Sequence, residues 1–203
     1  MSPMRRALVA AVLTLPLGAC VSLFPKADPV QLYRFGTEPP AAAAVAGTPF
    51  GVLKLPTTFT RASASDRILT VTGGEAAYVK DARWVAPAAV LFDEAVNRAF
   101  QGADGRARLI TRGEVAQADY TLKLDVRTFE SRYLNGPKAP PEVVVETRAV
   151  LTSNVDRKLI GEKMFTARVA AGDNRMAAIV PAYDEAVDKV VGDLYGWVNS
   201  TGR

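Results

Sequence analysis

Histidine is absent from the 203 residues, and cysteine occurs once, at Cys20. The first absence removes the commonest general base and the commonest metal ligand. The second removes internal disulfides and cysteine-built metal sites. No apolar run reaches the about 20 residues a membrane-spanning helix needs, and the greasiest stretch, 7–19, contains Pro16 and Gly18. No long run of basic residues occurs either. The net charge of +4 comes from interspersed acids and bases, which argues against a nucleic-acid partner. Gly-x-Ser-x-Gly, Walker and Gly-x-Gly-x-x-Gly motifs are all missing.

What is present begins with the segment around Cys20. Arg5 and Arg6 precede an apolar stretch over 7–17, and Leu17-Gly18-Ala19 leads directly into Cys20. A charged head, a short greasy middle and small residues at a cleavage point make a secretory signal. The thiol directly after the small residues resembles the lipobox of bacterial lipoproteins. Cleavage before Cys20 would leave it as the first residue, carrying palmitate-type lipid on its sulfur and amino group. Residues 1–19 are thus expected to be a signal peptide and 20–29 a lipidated tether. A domain would follow over 30–203. Taking 19 residues from 203 leaves 184, enough for one well-buried domain. With 49% apolar and 23% charged residues, that domain is ordinary globular material.

Alternation and turn residues predict strands at 30–35, 50–55 and 67–72, then a Gly73-Gly74 turn and a returning strand at 75–79. In the first of these, Val30 and Leu32 face opposite to Tyr33 and Phe35. Thr37–Thr48, rich in proline, alanine and glycine, reads as a loop. A helix is expected from Trp84, with Pro87 in its first turn and Gly102 as its stop. Its stripe is Val85, Ala88, Ala89, Phe92, Val96, Ala99 and Phe100. After a short strand at 108–111, long strands are expected at 120–129, 142–152 and 159–169. In the first of these, Tyr120, Leu122, Leu124, Val126 and Thr128 share one face. A closing helix over 176–199 carries Ile179, Tyr183, Ala186, Val187, Val190, Leu194 and Trp197. The expected fold is α+β, a single domain whose mainly antiparallel sheet carries two long helices on one face.

Gln31-Leu32-Tyr33, Val52-Leu53-Lys54-Leu55-Pro56, Arg83-Trp84, Ala118-Asp119-Tyr120-Thr121-Leu122 and a closing helix ending in Trp197 follow the lipobox in order. With these features the chain resembles the ABC-type transport auxiliary lipoproteins of Gram-negative bacteria. It departs from the family's pattern after Pro56, where Thr57–Arg61 stands and Asp66-Arg67 comes late. The resemblance implies a non-catalytic accessory subunit of an MCE-type lipid transport system. Its partners would be an MCE-domain protein and an ABC permease and ATPase. It carries no catalytic residues over, and implies no cofactor and no metal. Val21 and Ser22, with no Asp after Cys20, favour the outer membrane's inner leaflet, facing the periplasm.

Other candidates read as structural. Asp93-Glu94 and Asp184-Glu185 are adjacent carboxylates, but helix neighbours point about 100° apart, so both pairs read as solvated helix surface. Asp173-Asn174 reads as a helix N-cap. Trp84 reads as a buried anchor at a helix start with Arg83 solvated beside it, and Tyr33 and Phe35 as core. The best exposed contact is the loop at 133–141, with Tyr133, Leu134 and Lys138 as candidate partner contacts. An exposed strand edge or this loop could also pair copies of the chain into a homo-oligomer. Two other functions compete with lipid transport. One is an outer-membrane assembly or envelope-integrity scaffold that touches no lipid. The other is an envelope hydrolase, which without histidine would need a Ser–Lys or carboxylate pair.

Overall fold

Alternating apolar residues over 120–132 build the strand on which the sheet is assembled. The computed structural model describes residues 29–38, 47–102, 105–110, 114 and 116–202. In chain order its elements are β1 (Gln31–Tyr33), β2 (Phe50–Lys54), β3 (Thr58–Phe59), β4 (Arg67–Thr72), β5 (Glu75–Trp84), α1 (Ala88–Gly102), β6 (Ala107–Ile110), β7 (Tyr120–Arg132), β8 (Glu142–Ser153), β9 (Leu159–Ala170) and α2 (Met176–Thr201). The signal, Cys20 and most of the tether lie outside the described residues.

β7 pairs along its whole length with β8, and β8 in turn with β9, both antiparallel. The other edge of β7 is shared. β2 takes Tyr120–Leu122, β3 takes Asp125–Val126 and β4 takes Ser131–Arg132, all parallel. Residues 52–71 therefore run beside β7 as one interrupted strand. The first interruption falls at Pro56, which has no N–H to give to a ladder. β6 extends the sheet beyond β2, and β1 extends it beyond β5. The long ladders are antiparallel and the short ones parallel, so the α+β expectation holds.

The register of β7 and β8 shifts between Val126 and Thr128. Arg127 is the extra residue of this bulge, and it flips the alternation. Tyr120, Leu122, Leu124 and Val126 face the helices before it, and Phe129 and Ser131 after it. Thr128, expected in line with Val126, instead turns to the opposite face and donates to Glu146 at 2.7 Å.

Both helices cover the face that the bulge keeps continuous. Phe92, Val96, Ala99 and Phe100 of α1 are buried, as are Ile179, Tyr183, Ala186, Val187, Val190 and Leu194 of α2. Trp197 is only partly buried; it meets Phe165 edge-on at 5.8 Å between ring centres, at the rim beside β9. At the centre, Phe35, Trp84, Phe129 and Tyr183 form a ring cluster with centroids 4.9–5.2 Å apart. The Tyr183 hydroxyl accepts from Ser131 at 3.2 Å and donates to the Leu69 carbonyl. Burial drives its pKa far upward.

Two expectations fail around Trp84. β5 does not stop at Val79 but runs on to Trp84, and the helix starts at Ala88. The Trp84 N–H donates to Asp66 and the Val85 N–H to Tyr33, so both residues are held in the sheet. Pro87 also disfavours helical geometry at the residue before it. Val85 consequently lies outside the apolar stripe and is exposed. The first N–H groups of α1 are capped by the carbonyls of Ser65 and Ala64 from the preceding loop.

Gly36 fastens the end of β1 to both helices. Its φ is +64°, and a Cβ there would meet the Ala95 Cβ at 2.7 Å. Its N–H donates to Asp184 at 2.6 Å, and Arg98 donates to its carbonyl. Beside this knot, burial raises the Asp188 carboxyl to about 6, with Asp184 and Glu38 adding to the rise and Arg98 opposing it.

Three outcomes follow for stability. Phe129→Ala is expected to cost about 3–5 kcal/mol by opening the ring cluster. Tyr183→Phe should cost about 1 kcal/mol; urea unfolding of both variants checks the order. Asp188 is an acid whose folded pKa lies above its unfolded one. Its charge therefore weighs against folding above pH 6, and the penalty fades as pH falls from 6 towards 4. Asp188→Asn should gain about 1 kcal/mol at pH 8, after discounting for solvent screening, and nothing below pH 4. Thermal melts across that range read the difference.

Candidate docking surface

The loop between β7 and β8 is a tight structure and not a loose tip. Gly136 adopts φ +87°, and the Ala139 N–H bonds back to its carbonyl. The Tyr133 N–H bonds to Val71, and its hydroxyl donates to Asn174 at 2.8 Å. Asn174 in turn donates to the Pro137 carbonyl at 3.0 Å. Asn174 thus clamps the loop to the start of α2. The expected N-cap at Asp173-Asn174 is not formed, since the cap position is Arg175 and no side chain caps it.

The three candidate contacts separate accordingly. Tyr133 is half-buried, and burial raises its pKa. Leu134 is 70% exposed, and Lys138 is exposed beside it. Leu134 and Tyr133 wall a cleft of about 400 Å³ with Val71, Gly73, Glu130 and Arg132. Arg132 pairs with Glu130 at 2.6 Å there, so the cleft offers an apolar lip over a neutralised charge pair. The cleft has the size to take a single side chain.

A second groove lies between β2, β6 and α1. Leu53, Leu55, Pro56, Leu109 and Ile110 wall about 430 Å³ around Asp93 and Asn97. Lys54 keeps only 9% of its side chain exposed and pairs with Asp93 at 2.7 Å. Thr57 also donates to Asp93. Of the carboxylates read from sequence as solvated, Asp93 and Asp184 are therefore struts, while Glu94 and Glu185 are exposed as expected. Asp93 ties α1 to β2, Glu94 ties it to Arg34 at 2.8 Å, and Asp184 holds Gly36. Glu94 and Glu185 both stay at the surface, with side chains 44% and 55% exposed, and Glu185 pairs with Lys189 one turn on. No signal in the sequence marked Lys54 as the partner of Asp93, because their meeting depends on how α1 crosses the sheet.

Arg83 is not freely solvated. It donates to the carbonyls of Val79 and Ala82, with Asp66 at 3.8 Å. The sheet face away from the helices is a lattice of charges. Arg168 reaches Glu142 and Glu146, and Arg148 holds Glu162 below the usual carboxylate range through a 2.6 Å hydrogen bond. Among the described residues no cluster of acidic, histidine or cysteine side chains could hold a metal ion, and no helix is long and apolar enough to cross a membrane.

Known proteins share this architecture. A crystal structure of a Xanthomonas campestris protein, of the family model DUF330, superposes with a TM-score of 0.70 at 26% identity, covering 85% of this chain and 96% of that one. A hypothetical protein of Chlamydia trachomatis shares the fold alone, with a TM-score of 0.53 at 12% identity over 75% of this chain and 99% of that one. No curated protein matches the sequence. The profile of one family matches residues 33–194, which span β1 through most of α2. The chain belongs to the family described as the ABC-type transport auxiliary lipoprotein component.

Proposed function

We propose that the protein is a lipid-anchored, non-catalytic accessory subunit of an MCE and ABC-type system that moves lipid between the two membranes. The observation that carries this reading is the family match over 33–194 standing behind the lipobox Leu17-Gly18-Ala19-Cys20. Cys20 is the lipidated residue, residues 1–19 the signal peptide, and 20–29 the tether. Val21 and Ser22 after it support placement on the periplasmic face of the outer membrane.

The chemistry of the domain fits a docking role. Its acidic side chains tie helices to strands or lie in surface ion pairs. What it offers outward is shape, at Leu134 and Lys138 on a loop that Asn174 holds still. A rigid loop loses little entropy on binding, which favours its use as a contact. The partner it would meet is the MCE-domain protein.

Leu134→Glu with Lys138→Glu should leave stability within about 0.5 kcal/mol, since both residues are on the surface. The same pair should cut co-purification of the MCE-domain protein at least about tenfold, a loss of about 1.4 kcal/mol in affinity. Affinity capture from detergent-solubilised envelopes, with the full chain as bait, reads the outcome. Wild-type bait that captures no MCE-domain protein would sink the transport reading and leave a scaffold role. Separately, Cys20→Ser should move the protein from the membrane fraction to the soluble fraction.

A further inference from the structure

We infer that the β1 edge of the sheet rests against the bilayer, at headgroup depth, through Val30, Leu32 and Val85. This rests on the reading of Cys20 as the anchor. β1 is paired on one side only among the described residues, by β5. Leu32 lies beside Arg83 in that pairing, and the Val85 N–H bonds to the Tyr33 carbonyl. Tyr33 and Trp84 turn inward to the core, so their neighbours Leu32 and Val85 turn outward together. Val30, two residues before Leu32, shares that side. Their exposures are 47% for Val30, 62% for Leu32 and 50% for Val85. Single exposed apolar residues are ordinary, but three on one face of one sheet edge form a patch that asks for an occupant.

The chain itself supplies the occupant. Only residues 21–29 separate Cys20 from Val30. Fully extended, ten such steps reach about 35 Å, and a relaxed chain spans about 17 Å. A lipidated Cys20 therefore holds β1 close to the headgroups. The open N–H and C=O groups of β1 exclude deeper burial, because hydrocarbon cannot satisfy them. Headgroups can, so the edge lies on the surface and does not insert. Three apolar side chains add to the anchor and fix which way up the domain stands.

A lipidated Cys20 is no longer a thiol, so a cysteine introduced elsewhere is a unique reporter. The full-length protein is purified from membranes as Leu32→Cys, Val85→Cys or Leu159→Cys, the last being 61% exposed on β9 at the opposite edge. Each is labelled with a small environment-sensitive fluorophore. It is then reconstituted into vesicles of phosphatidylethanolamine and phosphatidylglycerol carrying headgroup nitroxide lipid. Quenching at positions 32 and 85 should exceed that at 159 by at least about threefold, and Leu32→Glu should weaken it at position 85. Equal quenching at 32 and 159 overturns the inference. So does absent quenching at 32 with labelling blocked only when envelope proteins are present, which gives the edge to a protein strand. Mass spectrometry of the wild type keeps the two readings apart. An unmodified Cys20 defeats the anchor, whereas a lipidated Cys20 without quenching at 32 defeats only the bilayer contact.

Discussion

A strand has two edges, and in this fold one strand must serve four neighbouring strands. β7 gives one edge wholly to β8 and divides the other among β2, β3 and β4. The division works only if β7 stays long, and its 13 residues make it the longest strand of the sheet. A straight, twisted strand of that length would drift from the two helices it must face. The bulge at Arg127 corrects the drift by adding one residue, increasing the local bend and resetting which side faces inward. Phe129 then enters the ring cluster and Ser131 meets the Tyr183 hydroxyl. One of the two buried hydrogen bonds of the Tyr183 hydroxyl is thus a consequence of a backbone irregularity.

Much of this was legible in the sequence. The long antiparallel ladder at 142–153 and 159–170 follows from strand-like apolar patterning and from short loops, which favour pairing of neighbouring strands. The α2 stripe follows from its 3.6-residue period, with Trp197 at its rim and only partly buried. The failures share one cause, which is a residue whose local pattern is overruled by a distant partner. Thr128 alternates correctly until the bulge, which only the β8 register reveals. Val85 sits at helical spacing, yet Tyr33 and Asp66 claim the backbone of residues 84 and 85 for the sheet. β3 has two residues and no period to detect. At the candidate surface, exposure of Leu134 and Lys138 was readable from a turn between strands, but the clamp from Asn174 was not, because it lies some 40 positions away in sequence.

The same long-range pairing explains how the acidic residues are used. Adjacent carboxylates on a helix invite a catalytic reading, yet Asp93 and Glu94 are drawn to different partners. Asp93 faces the nearly buried Lys54, and Glu94 faces Arg34. Breaking a buried pair by removing one partner costs far more than an exposed pair contributes, so Lys54–Asp93 fixes the seat of α1 while the outer-face lattice serves mainly solubility. Asp188 is the exception, a partly covered carboxyl next to other acids that favours its protonated form. It marks the junction of α1, α2 and the end of β1 as the place where the fold carries unrelieved charge.

That junction matters because, on the proposed reading, β1 is where the domain meets its tether. The path β1–β5–β4–β7–β8–β9 crosses the sheet in five steps of about 4.8 Å, or about 24 Å. With β1 at the headgroups, β9 and the exposed Leu159 and Ile160 stand on the far side, clear of the bilayer. The Leu134 loop leaves from the end of β7, midway along that path. A floppy tether alone would let every face sweep past a partner. An edge contact at β1 removes that freedom before any partner arrives, because the entropy of orientation has already been lost to the membrane. On the proposed reading the anchor sets the distance from the bilayer, and the sheet edge sets which face looks into the periplasm.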